Sequence, residues 1–239
     1  MCGIVGIFDT RGARAIDPEL VRRMNETQHH RGPDEGDVYT EPGVGFGHRR
    51  LSVIDIASGQ QPMFNAAGDV GVVFNGEIYN YPELTAELEA LGYQFRTRSD
   101  TETIVHAWEA WGEECVHKLR GMFAIAVWDR KAQTMFMARD RMGVKPFYYA
   151  ELPDGMFIFG SELKSLRAHP DLPHAIDPEA VEEYFAYGYV PEPRTVFKGV
   201  FKLPPGCILT LKRGAPPAQP VEYWDVPFKP HQPMAQAEM

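Results

Sequence analysis

The hydrophobic and polar positions of this chain change rhythm several times, and each change predicts an element. Met1-Cys2-Gly3-Ile4-Val5-Gly6-Ile7-Phe8 carries a short apolar run that reads as a strand. Asp17-Pro18 then opens a helix, with Asp17 as cap, Pro18 at the first helical position and Leu20, Val21 and Met24 as its apolar stripe. Arg31-Gly32-Pro33-Asp34 ends it as a turn. Residues 43–56 alternate small, apolar and polar side chains and predict one or two strands. The apolar run Val70 to Phe74 meets Asn75-Gly76 and then Glu77-Ile78-Tyr79, a pattern that predicts a hairpin turning at Asn75-Gly76.

A helix follows, opened by Pro82, lined by Leu84, Leu88 and Leu91 and closed by Gly92. Ser99-Asp100-Thr101-Glu102 reads as a capping box, with Glu102 reaching back, ahead of the helical stripe Ile104, Val105, Trp108 and Trp111. Residues 122–128, 134–138, 146–149 and 156–159 read as strands, and several are apolar on both faces. Asp177-Pro178 caps a last helix running to about Tyr187. Strands covered on both sides, together with several helices, imply a layered architecture: two sheets packed together with helices outside. The domain is expected to span 1–212. Residues 213–239, with Pro216, Pro217, Pro220, Pro227, Pro230 and Pro233, read as a linker.

Composition narrows the classes. An apolar content of 44% supports a sizeable core, and no apolar run is long enough for a membrane span. A net charge of −9 without a Lys/Arg block argues against nucleic acid or an anionic membrane as partner. Cys2, Cys115 and Cys207 form an odd, unpaired set that suits a reducing, cytoplasmic setting. The adjacent His29 and His30 diverge by about 100° on a helix and do not suggest a metal site.

Cys2 carries the candidate chemistry. Once Met1 is trimmed, its thiol and α-amine belong to one residue. An α-amine with a pKa of roughly 7.7–8.0 is partly free base near neutrality. It can therefore take the thiol proton without a separate histidine. Read alone, Cys2 is equally a small second residue on a terminal strand. Asp100, at the positive end of its helix, is either a plain complement to the helix dipole or a carboxylate placed to receive a cation.

Several stretches, taken in order, match a family. They are Met1-Cys2-Gly3-Ile4, Arg31 to Asp34, Gly47 to Asp55 with Gln61-Pro62, Phe74 to Asn80, Ser99 to Glu102, Arg120 to Ala124, Arg139 to Pro146, Ser161 to Lys164 and Leu203 to Gly206. The chain resembles the N-terminal glutaminase domain of a class II, N-terminal-nucleophile glutamine amidotransferase of the asparagine synthetase type. That resemblance implies an α+β fold, a four-layer αββα sandwich. It also implies that Cys2 attacks the glutamine carboxamide, that Asn75 and Gly76 form an oxyanion hole, and that Arg50, Leu51, Val53, Glu77 and Asp100 hold L-glutamine. Arg49 competes for the substrate carboxylate, and the family's arginine immediately before Leu-Ser selects Arg50. Where the family often has His after Leu-Pro-Pro-Gly, this chain has Cys207, expected to be a buried small residue.

In the resembled family a synthetase domain follows, with a phosphate loop that uses ATP and Mg. No such motif occurs here, so the chain is expected to be a glutaminase half that needs neither metal nor cofactor of its own. Its partners would be L-glutamine and a covalent synthetase domain, and a homodimer is compatible. Two other readings stand beside this one: the same glutaminase feeding another acceptor, as in exosortase-associated relatives, and a non-catalytic glutamine sensor that keeps Met1.

Overall fold

The computed structural model describes residues 1–216 and 218–227. In chain order the elements begin with β1 (Gly3–Asp9), α1 (Pro18–Glu26), β2 (Glu35–Glu41), β3 (Val44–Arg50), β4 (Met63–Phe64) and β5 (Val70–Ile78). Next come α2 (Tyr81–Ala90), α3 (Asp100–Trp111), α4 (Cys115–Lys118), β6 (Gly121–Asp129), β7 (Thr134–Arg139), β8 (Tyr148–Glu151) and β9 (Met156–Gly160). The last are α5 (Leu163–Arg167), α6 (Pro178–Tyr187), β10 (Val200–Lys202), β11 (Cys207–Lys212) and β12 (Val221–Glu222). No helix among the described residues is long and apolar enough to cross a membrane.

Two antiparallel sheets carry the strands. The first has the order β10-β8-β9-β1-β3-β2 and the second β12-β11-β7-β6-β5-β4. Side chains alternate between the faces of each strand, and here both faces are covered. On β6, Ala124, Ala126 and Trp128 face the space between the sheets, where they meet Ile4, Phe8, Phe46 and Phe159 from the first sheet. Phe123, Ile125 and Val127 face the other way, against Leu84 and Leu88 of α2 and Ile104 and Trp108 of α3. On β1, Val5 and Ile7 likewise pack against Val21 and Met24 of α1. The result is a four-layer αββα sandwich.

Local chemistry departs from the sequence pattern at three places. Asn75-Gly76 is not a hairpin turn but lies inside β5, where Asn75 pairs with Ala124 and Gly76 with Phe123 of β6. A glycine is needed there for closeness: a Cβ on Gly76 would stand 2.1 Å from the Met122 carbonyl oxygen. Ser99 caps α3 as expected, its Oγ accepting the Thr101 N–H at 3.2 Å. Glu102 does not reach back to close a capping box, because it takes the N–H groups of Arg96 and Thr97. Strand β3 stops at Arg50, short of the expected 43–56. The Arg50 guanidinium folds residues 54–56 around itself through their carbonyls, which removes them from any ladder.

Strands β2, β4, β10 and β12 are short or polar and are not predicted; β11 is missed although Ile208, Leu209 and Leu211 give it an apolar run covered on both faces. Of the proline-rich stretch, Val221 and Glu222 pair with Ile208 and Cys207. Residue 217 and residues 228–239 lie outside the described residues. Cys207 is buried on β11, as expected of a small core residue.

Candidate active site

The N-terminus is fixed from several sides. Ile4 donates its N–H to Ser161 Oγ at 3.0 Å, and its carbonyl accepts from Gln28 Nε2 at 3.2 Å. Arg31 Nε donates to the Cys2 carbonyl at 2.8 Å, while its Nη1 pairs with Glu162 at 3.1 Å. The Cys2 thiol is left facing Leu51, whose carbonyl oxygen lies 3.7 Å from Sγ. Because Gly3 opens β1, the first sheet sets the position of the sulfur.

The second sheet supplies the opposite wall through β5. Beyond the short partner β4, which pairs only as far as Val72, one edge of β5 has no neighbouring strand among the described residues. Two side chains take the strand's place at Phe74: Gln61 Oε1 accepts its N–H at 2.6 Å, and His48 Nε2 lies 3.1 Å from its carbonyl. His48 is fully buried, and burial pushes its pKa down to about 3, helped by the charges of Arg50 and Arg49. It is therefore a neutral imidazole donating to Phe74. This support holds the next residues, Asn75 and Gly76, at the cavity wall.

Asn75 is 1% exposed, and neither its side-chain nitrogen nor its side-chain oxygen has a hydrogen-bond partner among the described residues. A buried amide left in that state costs about 1–3 kcal/mol. Native folds rarely retain that cost without a use for the group.

Asp100 begins α3 and accepts the Ile78 N–H at 3.0 Å, tying the end of β5 to the helix mouth. Burial raises its pKa to about 6; the Ile78 hydrogen bond works against the rise and the Glu77 charge adds to it. A carboxylate held this far from water gains most from a cationic ligand.

Arg49 and Arg50 point to different environments. Arg49 donates to the Gly32 carbonyl and pairs with Glu26, away from the cavity. Arg50 lines the cavity, but its terminal nitrogens already hold Glu35 and the carbonyls of Ile54, Asp55 and Ile56 at 2.7–3.1 Å. Two parallel bonds from Nη1 and Nη2 to a ligand carboxylate, as the sequence suggested, would require exchanging some of these partners. Nε remains, and so does the backbone of the 51–53 segment that Arg50 shapes.

Cys2, Arg50, Leu51, Val53, Asn75, Gly76, Glu77 and Asp100 all border one cavity of about 170 Å³. Every site residue expected from the sequence is thus brought together. Gln61 and Lys145 border it too. Sequence reasoning gave these two no function, although both lie in stretches that carried the family match. The arrangement can do specific chemistry: a thiol borders a small cavity shared with the Asn75 amide, which has no partner among the described residues, and with the carboxylates of Glu77 and Asp100.

A family model described as a glutamine amidotransferase domain matches residues 1–224. The chain is 42% identical over 234 residues to asparagine synthetase [glutamine-hydrolyzing] 3 of Bacillus subtilis, covering 97% of this chain and 38% of that protein. It is 36% identical over 253 residues to a putative asparagine synthetase [glutamine-hydrolyzing] 2 of Methanocaldococcus jannaschii, covering 96% of this chain and 48% of the relative. The chain therefore spans less than half the length of these relatives. Among solved structures, the allosteric regulatory enzyme of purine biosynthesis superposes with a TM-score of 0.67 at 18% identity, over 93% of this chain and 49% of that one. Glutamine phosphoribosylpyrophosphate amidotransferase from B. subtilis superposes with a TM-score of 0.64 at 18% identity, over the same shares of the two chains. Both show the same fold. By the match over residues 1–224, the chain belongs to the glutamine amidotransferase domain family, with its sequence relatives among the asparagine synthetases.

Proposed function

We propose that this cavity hydrolyses the side-chain amide of L-glutamine and releases ammonia. The observation that carries the reading is the buried, unpartnered amide of Asn75 beside Gly76, facing the cavity that Cys2 borders. After removal of Met1, the Cys2 α-amine takes the thiol proton and Sγ forms a bond to the carboxamide carbon. The carbonyl oxygen becomes an oxyanion held by the Asn75 side chain and the Gly76 N–H, the kind of preformed donor pair that stabilises charge as it develops. The α-amine then gives its proton to the leaving nitrogen. The C–N bond breaks, ammonia departs and a γ-glutamyl thioester remains. Water attacks that thioester, giving glutamate and restoring the thiol.

Glutamine is a zwitterion, and Asp100 with Glu77 forms the end suited to its α-ammonium. Its α-carboxylate would lie toward Arg50 and the backbone of Leu51 and Val53. The names of the relatives extend the proposal: the ammonia would amidate aspartate in a synthetase portion joined to this domain.

The test is covalent labelling with a diazo-ketone analogue of glutamine, followed by intact mass and peptide mapping. One adduct on Cys2 is expected. No adduct, or adducts confined to Cys115 or Cys207, overturns the reading.

A further inference from the structure

The stretch Arg139 to Pro146 carried the family match without receiving a function, and its construction is costly. Asp140, 1% exposed, accepts four backbone N–H groups: Met142 and Val144 on one oxygen, Phe123 and Lys145 on the other. Arg139, also buried, binds the carbonyls of Gly143, Lys145 and Leu203. Gly143 turns the chain at φ +63°. Two buried charged residues thus fix one short turn from both sides. What the turn delivers is Lys145, 4% exposed, with its side chain on the cavity that Cys2 borders. No hydrogen bond or ion pair to its ammonium is found among the described residues.

The other charges around this end are largely matched. Arg31 pairs with Glu162, and Arg50 pairs with Glu35. Asp140 is spent on backbone N–H groups. Glu77 and Asp100 are the anions suited to a ligand ammonium. Lys145 is left as a buried cation near the nucleophile with no structural bond to keep it there. Burial and Arg31 pull its pKa below the ordinary lysine value, while Cys2, Asp140 and Glu77 pull it back.

We propose that Lys145 is a positioning residue of the glutaminase reaction, holding a positive charge that favours loss of one proton from the thiol–amine pair of Cys2. The inference rests on the glutaminase reading. Before reaction that pair carries two dissociable protons, one on sulfur and one on the α-ammonium. Losing either removes one positive charge, so a neighbouring cation favours the loss whichever atom gives it up. The remaining proton stays within the pair and is the one later handed to the departing nitrogen. Lys145 keeps its own protons throughout.

The experiment uses the chain with Met1 removed, verified by intact mass. The rate of Cys2 alkylation is followed from pH 5.5 to 9.5 with two probes: the diazo-ketone glutamine analogue, and iodoacetamide, which has no carboxylate for Lys145 to bind. Lys145→Met is expected to move the acid limb upward with both probes. Labelling at pH 6.5 should slow about three- to tenfold and converge with wild type near pH 9.5. Lys145→Arg should restore the wild-type limb. Melting curves check that each variant folds, and Lys145→Gln, also uncharged, replaces the Met variant if it does not. A profile unmoved within twofold, or one lowered equally at every pH and not restored by arginine, overturns the proposal. Failure of the analogue to label wild-type Cys2 overturns the glutaminase reading instead, while the iodoacetamide profile still tests Lys145.

Discussion

Ile78 donates its backbone N–H to Asp100 at 3.0 Å, so the end of β5 and the start of α3 share one buried carboxylate. The bond favours the ionised form, yet burial wins and the pKa rises from 3.8 to about 6. With the folded value raised, the contribution to stability is fully present below about 3.8 and is lost as pH rises through about 6. The ionised Asp100 then destabilises the unliganded fold, on the order of 2–3 kcal/mol. Asp100→Asn should remove this loss, so its melting temperature, relative to wild type, should climb between pH 4 and pH 7. The same substitution should raise the KM for glutamine by about 10²-fold, because a ligand ammonium loses its charged partner. In wild type, KM should rise as pH falls below about 6.

His48 has the opposite sign in an overlapping window. Its folded pKa is lowered from 6.5 to about 3, so its contribution is present above 6.5 and is lost as pH falls toward about 3. His48→Gln should flatten the acid side of the stability curve by one proton's worth of slope in that range. Chemical denaturation at a series of pH values measures it. A variant curve parallel to wild type would remove His48 as the source.

Asn75→Ala should separate stability from activity. The amide has no partner among the described residues, so removing it forfeits no hydrogen bond there and relieves a buried unsatisfied group. Unfolding free energy should stay within about 1 kcal/mol of wild type or rise. Glutaminase kcat should fall roughly 10²–10³-fold, as expected for a lost oxyanion donor.

Gly76→Ala should act in the other direction, through packing. The added Cβ would collide with the Met122 carbonyl oxygen at 2.1 Å and with Phe123 Cα at 2.8 Å, both backbone atoms. A loss of about 2–3 kcal/mol is expected, or a melting temperature lower by roughly 5–10 °C for a chain of this size. Calorimetry decides, and a melting point unchanged within a degree would contradict it.

Much of this was legible in the sequence because the strands are covered on both faces. Val72 to Phe74 and Phe123 to Trp128 could be uninterrupted apolar runs only in a sheet buried between layers. The site residues were legible as a set, since their types and order carried the family match. What could not be read was conformation set by distant partners. Asn75-Gly76 has the composition of a turn, but pairing with Ala124 and Phe123 of β6 holds it extended. Glu102 had the spacing to close a capping box, but the N–H groups of Arg96 and Thr97 claim it. Arg50 was legible as a cation for a carboxylate, but not as the residue that also wraps the 54–56 segment around its guanidinium.

Cys2 leads into β1 of one sheet, whereas Asn75 and Gly76 belong to β5 of the other. The gap between the Cys2 sulfur and the amides opposite is therefore gauged by the side chains stacked between the sheets, among them Ile4, Phe46, Trp128 and Phe159. An interior substitution well away from the cavity, such as one that thins this filling by a ring, would change how closely the two walls of the cavity meet, and with them the two halves of the proposed reaction. In this architecture the hydrophobic filling acts as a calibrated spacer, and its tolerance to change is set by chemistry as well as by folding.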